Sequence, residues 1–232
     1  MYFDVYYLIL VVPAMLFAMW AQSQVSSAFG KYERVRTLRG ITAAEAARRI
    51  LDDNGLQRVR IEHISGSLTD HYDPTAKVVR LSDSVYNSSS VAALGVAAHE
   101  CGHAVQHATH YSPLVFRNAI IPITNLGSRL AIPIFILGLA LTPVLQSPVI
   151  CNLGLGLFSL VAIFQLVTLP VEFNASSRAL ATLEAQRYLE PSELRGSRRV
   201  LQAAALTYVA ALVSTLAQLL RLMAIANRRN NR

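Results

Sequence analysis

Residues 130–171 read LAIPIFILGLALTPVLQSPVICNLGLGLFSLVAIFQLVTLPV, and no Asp, Glu, Lys or Arg interrupts them. A membrane helix needs about 20 apolar residues, so this run is long enough for two passes. Gln146-Ser147-Pro148 supplies a turn between them, Arg129 bounds the run on one side and Glu172 on the other. The stretch predicts a transmembrane hairpin over residues 118–170. With it comes a fold class: an integral membrane protein, mainly α-helical, with a small β-sheet elsewhere in the chain.

Composition agrees. Of 232 residues 53% are hydrophobic and only 15% charged, against about 25% charged in soluble domains. The net charge of +7 could suit nucleic acid, but the cations flank apolar runs or alternate with acids, which is the pattern of membrane boundaries and argues against a nucleic-acid partner. The two cysteines, Cys101 and Cys151, imply no disulfide framework. No feature of the sequence sets an oligomeric state.

Working outward, a first apolar run covers about residues 5–21, with Tyr2, Phe3, Tyr6 and Tyr7 at one end and Trp20 at the other, as in aromatic belts. No Lys or Arg precedes it, so residues 1–24 read as a retained anchor rather than a cleaved signal, with Pro13 a tolerated kink. A third apolar region, Leu201–Leu220, is richer in Ala, Thr and Gln. It makes residues 200–232 a possible last transmembrane helix with a basic tail. Lys and Arg concentrate in segments 22–129 and 172–199 and are missing from the 146–148 turn. The positive-inside rule then predicts a multi-pass protein of the cell membrane, N-terminus outside, with both charged segments cytoplasmic. Arg221, Arg228, Arg229 and Arg232 run against that rule if the last helix crosses.

Residues 25–117 read as a small α+β unit. Thr42-Ala-Ala-Glu45 is a capping box opening a helix that ends near Asn54-Gly55. Gln57–Ile64 alternates as a strand does, Asp73-Pro74 opens a turn, and Lys77–Ser82 reads as a second strand. The serines at 88–90 offer an N-cap for a helix from about Val91 to His110.

That helix carries His99-Glu100-Cys101-Gly102-His103, an H-E-x-x-H pentad. Histidines at i and i+4 share one helix face, so two imidazoles can hold one metal ion, and the Glu between them can handle the proton of a water. A catalytic zinc wants a third protein ligand and one open position. His110 sits at a spacing used by some zinc proteases, but Gln106 stands where Gly is then required, and His107 lies one turn further along the same helix. Glu172, in the helix of residues 171–199, fits better. Two membrane crossings return the chain to the side it left, and Ala175, Ser176 and Ala179 on the same helical face would allow close approach to the pentad helix.

The expected chemistry is zinc-dependent peptide hydrolysis at the membrane, one Zn²⁺ per chain, with Glu100 as general base and His99, His103 and Glu172 as ligands. Strand followed by metal helix is the order of zincin proteases, in which an edge strand pairs with extended substrate; Val78, Val79, Arg80 and Leu81 are the expected segment. Oxyanion donors or supporting groups could be His71, Tyr72, His107 and Arg178. A silent zinc-binding membrane scaffold or adaptor is the competing class. A metal carrier or sensor is another, and it would have no use for Glu100.

The run His99-Glu-Cys-Gly-His-Ala-Val-Gln-His107, preceded by Ser90-Val-Ala-Ala-Leu-Gly-Val-Ala-Ala98 and followed by Glu172-Phe-Asn-Ala-Ser176, resembles the YugP-type membrane zinc metallopeptidases of bacteria. The similarity extends over most of the chain, including Leu68-Thr-Asp-His-Tyr-Asp-Pro74 and the N-terminal anchor. More distantly the plan is similar to the HtpX and Ste24 gluzincins, in which a transmembrane hairpin separates the pentad from a Glu in an E-x-x-A-D motif. That resemblance implies Glu172 as third ligand. It also implies an Asp four residues later, buttressing a ligand His, where this chain has Ser176. Ser can accept the same hydrogen bond without the charge.

Overall fold

The computed structural model describes residues 4–230. Tyr2, Phe3 and Arg232 lie outside the described residues, as does the side chain of Arg229. A π-helical turn, Tyr7–Val11, leads into α1 (Val12–Tyr32); then come α2 (Ala43–Asp53), β1 (Arg60–Ile64), β2 (His71–Asp73), β3 (Val78–Ser82), α3 (Val91–Ala108), α4 (Ser112–Leu145), α5 (Val149–Ala185) and α6 (Pro191–Asn230). The molecule is a mainly helical membrane protein with one small sheet. Among the described residues four helices are long and apolar enough to cross a membrane: Tyr7–Tyr32, Ser112–Leu145, Val149–Ala185 and Pro191–Arg228. The chain divides into two compact units.

One unit is built from residues 1–21, 116–169 and 207–232. Here α4 and α5 meet backbone to backbone. A Cβ at Gly138 would collide with the backbone of Cys151, and one at Gly154 with the backbone of Phe135, so only glycine allows the approach. Pro122, Pro133 and Pro143 sit inside α4, a placement membrane helices tolerate. Phe135, Cys151, Leu222 and Ala226 form a buried cluster. Residues late in α6 meet residues early in the chain: Ser214 donates to the Ala14 carbonyl at 3.5 Å and Arg221 pairs with Asp4 at 2.6 Å, its guanidinium 5.2 Å from the Tyr7 ring centre. The third apolar region is thus part of a 40-residue helix antiparallel to α1. Its lower hydropathy at residue level hid its length.

The other unit comprises residues 22–115 and 170–206. The capping box forms as its residue types dictate, with Thr42 Oγ1 accepting from the Glu45 amide and Glu45 accepting from the Thr42 amide. Ser90 caps α3 by accepting from the Ala93 amide. The sheet has the order β1-β3-β2, with β1 parallel and β2 antiparallel to β3. Val79 and Leu81 of β3 join Leu51, Leu94, Ala97 and Leu183 in the core. Each buried Leu of this kind contributes about 1.5–3 kcal/mol.

The sheet order corrects one expectation. Val78, Val79, Arg80 and Leu81 lie on the central strand, hydrogen-bonded on both sides, so their backbone has no free edge for a substrate. Val78, Val79 and Leu81 are fully buried, and Arg80 binds Glu62 and Asp73 across the sheet. The strand β2 went unread because three residues, His71-Tyr72-Asp73, are too few to show a period of two.

Candidate active site

The pentad lies in the second turn and beyond of α3, a helix lined with Ala and Gly. One helical turn separates His99 from His103, and their rings stand edge to face with centres 4.7 Å apart. Their Nε2 atoms are 3.1 Å from each other. From α5, the Glu172 carboxylate comes to 3.3 Å from His99 Nε2 and 3.5 Å from His103 Nε2. Among the described residues these three form the converging donor set.

The spacing fits zinc. Ligands about 2.0–2.1 Å from a tetrahedral ion lie about 3.3 Å from one another, and the three observed edges are 3.1, 3.3 and 3.5 Å. Two neutral imidazole nitrogens and a carboxylate oxygen are also the donor types that such an ion takes. His103 is strongly buried, which acts to lower its pKa; the contact with Glu172 and the charges of Glu100 and Glu172 outweigh this and hold it above the ordinary histidine value. The pocket is thus electronegative, suited to a cation.

What brings α5 so close is Gly102. A Cβ there would lie 2.8 Å from the Ala175 carbonyl oxygen, tighter than real contacts allow. Ala175 and Ala179 are buried at the same seam. Both variable positions of the pentad are therefore explained by packing. Cys101 is fully buried, its Sγ 3.6 Å from the Ala47 carbonyl. Burial pushes its thiol pKa up, which leaves it inert as a nucleophile.

The supporting contacts are specific. Ser176 Oγ lies 3.1 Å from His99 Nδ1, at the position where the resemblance calls for Asp. Gln106 Oε1 lies 3.0 Å from His103 Nδ1. The Gln106 amide nitrogen donates to the Val171 carbonyl at 2.8 Å and to Asn174 Oδ1 at 3.0 Å, and Arg178 Nε donates to the same Asn174 oxygen at 2.8 Å. Sequence reasoning passed over Gly102, Gln106 and Asn174. The signal for Gln106 was its place one turn beyond a ligand His; nothing local marked Gly102.

The remaining candidates separate into two groups. Tyr72, on β2, has its hydroxyl 2.9 Å from His107 Nδ1, and burial followed by the charge of Asp73 raises its pKa. His71 is exposed and occupied by the Thr69 carbonyl at 2.9 Å and Arg80 at 3.3 Å. His107 stands outside the converging donor set. His110 lies past the end of α3 in a left-handed conformation.

Comparison with known proteins adds the family. No solved structure gives a significant match. A protein from Bacillus subtilis (strain 168) described as "Putative membrane protease YugP" is 48% identical over 219 residues, which covers 94% of this chain and 96% of that protein. The sequence profile of the family described as "Putative neutral zinc metallopeptidase" matches residues 7–227. The chain belongs to that zinc metallopeptidase family.

Proposed function

We propose that the protein is a membrane-bound endopeptidase that holds one zinc ion on His99, His103 and Glu172 and hydrolyses peptide bonds with Glu100 as general base. The observation that carries this reading is the convergence of three donors from two helices at the edge lengths of a zinc tetrahedron. A zinc ion so held supplies Lewis acidity and lowers the pKa of a water toward about 7.

The chain's own groups account for the rest. Glu100 is buried and its charge is felt at His103, so its carboxylate lies within reach of the reacting water. It takes a proton as the water oxygen bonds to the scissile carbonyl carbon, and returns that proton to the amine as the C–N bond breaks. Tyr72 is the preferred donor to the developing oxyanion: its hydroxyl is anchored by His107, and its raised pKa keeps it protonated. His71 and Arg178 are less suited, since Arg80 and Asn174 already engage them. The open edge of β2, which packs against α3, is the better place for extended substrate to pair.

The antiparallel contacts of α6 with the start of the chain support four crossings, with both ends on the same side. By the positive-inside rule that side is external and the site cytoplasmic. Pairing with Asp4 and Tyr7 offsets the charge of Arg221 there. Substrates are then proteins or peptides at the cytoplasmic membrane surface.

The test is cleavage of unfolded casein by the detergent-purified chain. Glu100→Gln should keep zinc and lose about 10²–10⁴-fold in rate. A zinc-loaded parent chain with no activity on casein or on membrane substrates would favour the scaffold reading instead.

A further inference from the structure

We propose that Gln106 is a positioning residue: it fixes the proton of His103 on Nδ1, so that Nε2 offers its lone pair to the metal, and its own polarity is set by Val171 and by Asn174 with Arg178. The inference rests on the zinc reading above and adds to it how the second histidine is held in its ligand form.

The polarity follows from obligate donors and acceptors. The Val171 carbonyl can only accept, so the Gln106 atom 2.8 Å away is the amide nitrogen. Arg178 Nε can only donate, so the Asn174 atom 2.8 Å from it is the oxygen. That same oxygen is 3.0 Å from Gln106, which again requires the amide nitrogen there. Two independent anchors thus agree. Both amide protons of Gln106 are used, and Oε1, an acceptor only, faces His103 Nδ1 at 3.0 Å. His103 Nδ1 must carry a proton to satisfy it. In the neutral ring the lone pair is then on Nε2, the atom that faces His99 and Glu172.

The residue does a second thing with the same amide. Val171 directly precedes Glu172, so Gln106 ties the α5 backbone beside the third ligand to the ring of the second. Gln106 has no exposed surface, so water cannot replace either bond. His99 has a hydroxyl partner in Ser176, which can accept or donate and fixes no tautomer by itself. The control of proton position therefore falls on Gln106.

Two substitutions separate these roles. Gln106→Met keeps the length and removes both; Gln106→Glu can accept from Nδ1 but cannot donate to Val171. Zinc affinity is read by competition with a chromophoric chelator in detergent, and folding by the Tm of the metal-free chain. Gln106→Met should bind zinc about 10–100-fold more weakly. Gln106→Glu should keep parent-like affinity while its Tm falls. Nitrogen-15 histidine NMR of the metal-free parent at alkaline pH should show His103 as the Nδ1–H tautomer. The proposal is overturned by an Nε2–H tautomer, by parent-like zinc binding in a folded Gln106→Met, or by equal loss of affinity in both variants. A parent chain that binds no zinc sinks the proposed function instead, and the tautomer measurement still decides this inference on its own.

Discussion

Gly102→Ala tests the seam between α3 and α5 with a single methyl group. The added Cβ would lie 2.8 Å from the Ala175 carbonyl oxygen and 3.3 Å from the Ala175 carbonyl carbon and Cα. Those are backbone atoms of a helix, which cannot rotate aside. Ordinary contact begins at 3.4 Å, so α5 must back away by about 0.6 Å. Glu172 lies one turn before Ala175 and moves with it. Its separations of 3.3 and 3.5 Å from the two histidines then open to about 4 Å, past the edge of about 3.3 Å that zinc requires. Overpacking costs about 1–3 kcal/mol, while Ala in place of Gly returns up to about 1 kcal/mol of helix propensity. The metal-free Tm should therefore fall only slightly. Zinc binding must close the gap against the full overpacking term, so its Kd should rise about 5- to 150-fold. Chelator competition on the detergent-purified variant measures this. Gly156→Ala is the control, because a Cβ there meets nothing within 4 Å; it should leave zinc binding unchanged. A Gly102→Ala variant with parent-like zinc affinity would refute the argument that this glycine sets the ligand spacing.

Other outcomes follow from the same geometry. Glu172→Ala should lower the zinc content of the purified chain after dialysis, whereas His107→Ala should not, because His107 stands outside the converging donors; metal analysis reads both. Ser176→Ala removes the partner of His99 Nδ1 and should weaken zinc about tenfold, with Ser176→Asp restoring or exceeding parent affinity through a carboxylate–histidine contact. In the metal-free chain the pKa of His103 is raised, so its protonated form stabilises the fold fully below the unfolded histidine value of about 6.5, and that stability is lost as pH climbs through the folded value. Zinc displaces that proton, so its affinity should strengthen over the same rise in pH while the metal-free Tm declines. Calorimetry across pH checks both signs.

How much of this was legible beforehand differs by residue. The hairpin announced itself because about forty residues without a charge have few other homes. The pentad did so because its spacing matches one helical turn. Glu172 followed from the parity of the crossings. The edge assignment failed at Val78–Leu81 because strand order is a tertiary fact: alternation says that a strand is half-buried, not which strands flank it. The full extent of α6 escaped because Ala, Thr and Gln dilute hydropathy, yet they suit helix contacts such as Ser214 with Ala14. Gln106 and Asn174 were hidden for a related reason. An uncharged amide says nothing until its two partners are known, and both come from segments about 65 residues apart in the chain.

The central claim is that one zinc ion sits between α3 and α5 on two imidazoles and one carboxylate. Zinc K-edge X-ray absorption on the purified, zinc-loaded chain tests it most directly. The account predicts light-atom ligands at about 2.0–2.1 Å, with the multiple-scattering pattern of two imidazoles, and loss of an oxygen ligand in Glu172→Ala. A spectrum with three imidazoles, with sulfur, or one unchanged by removing Glu172 would contradict it.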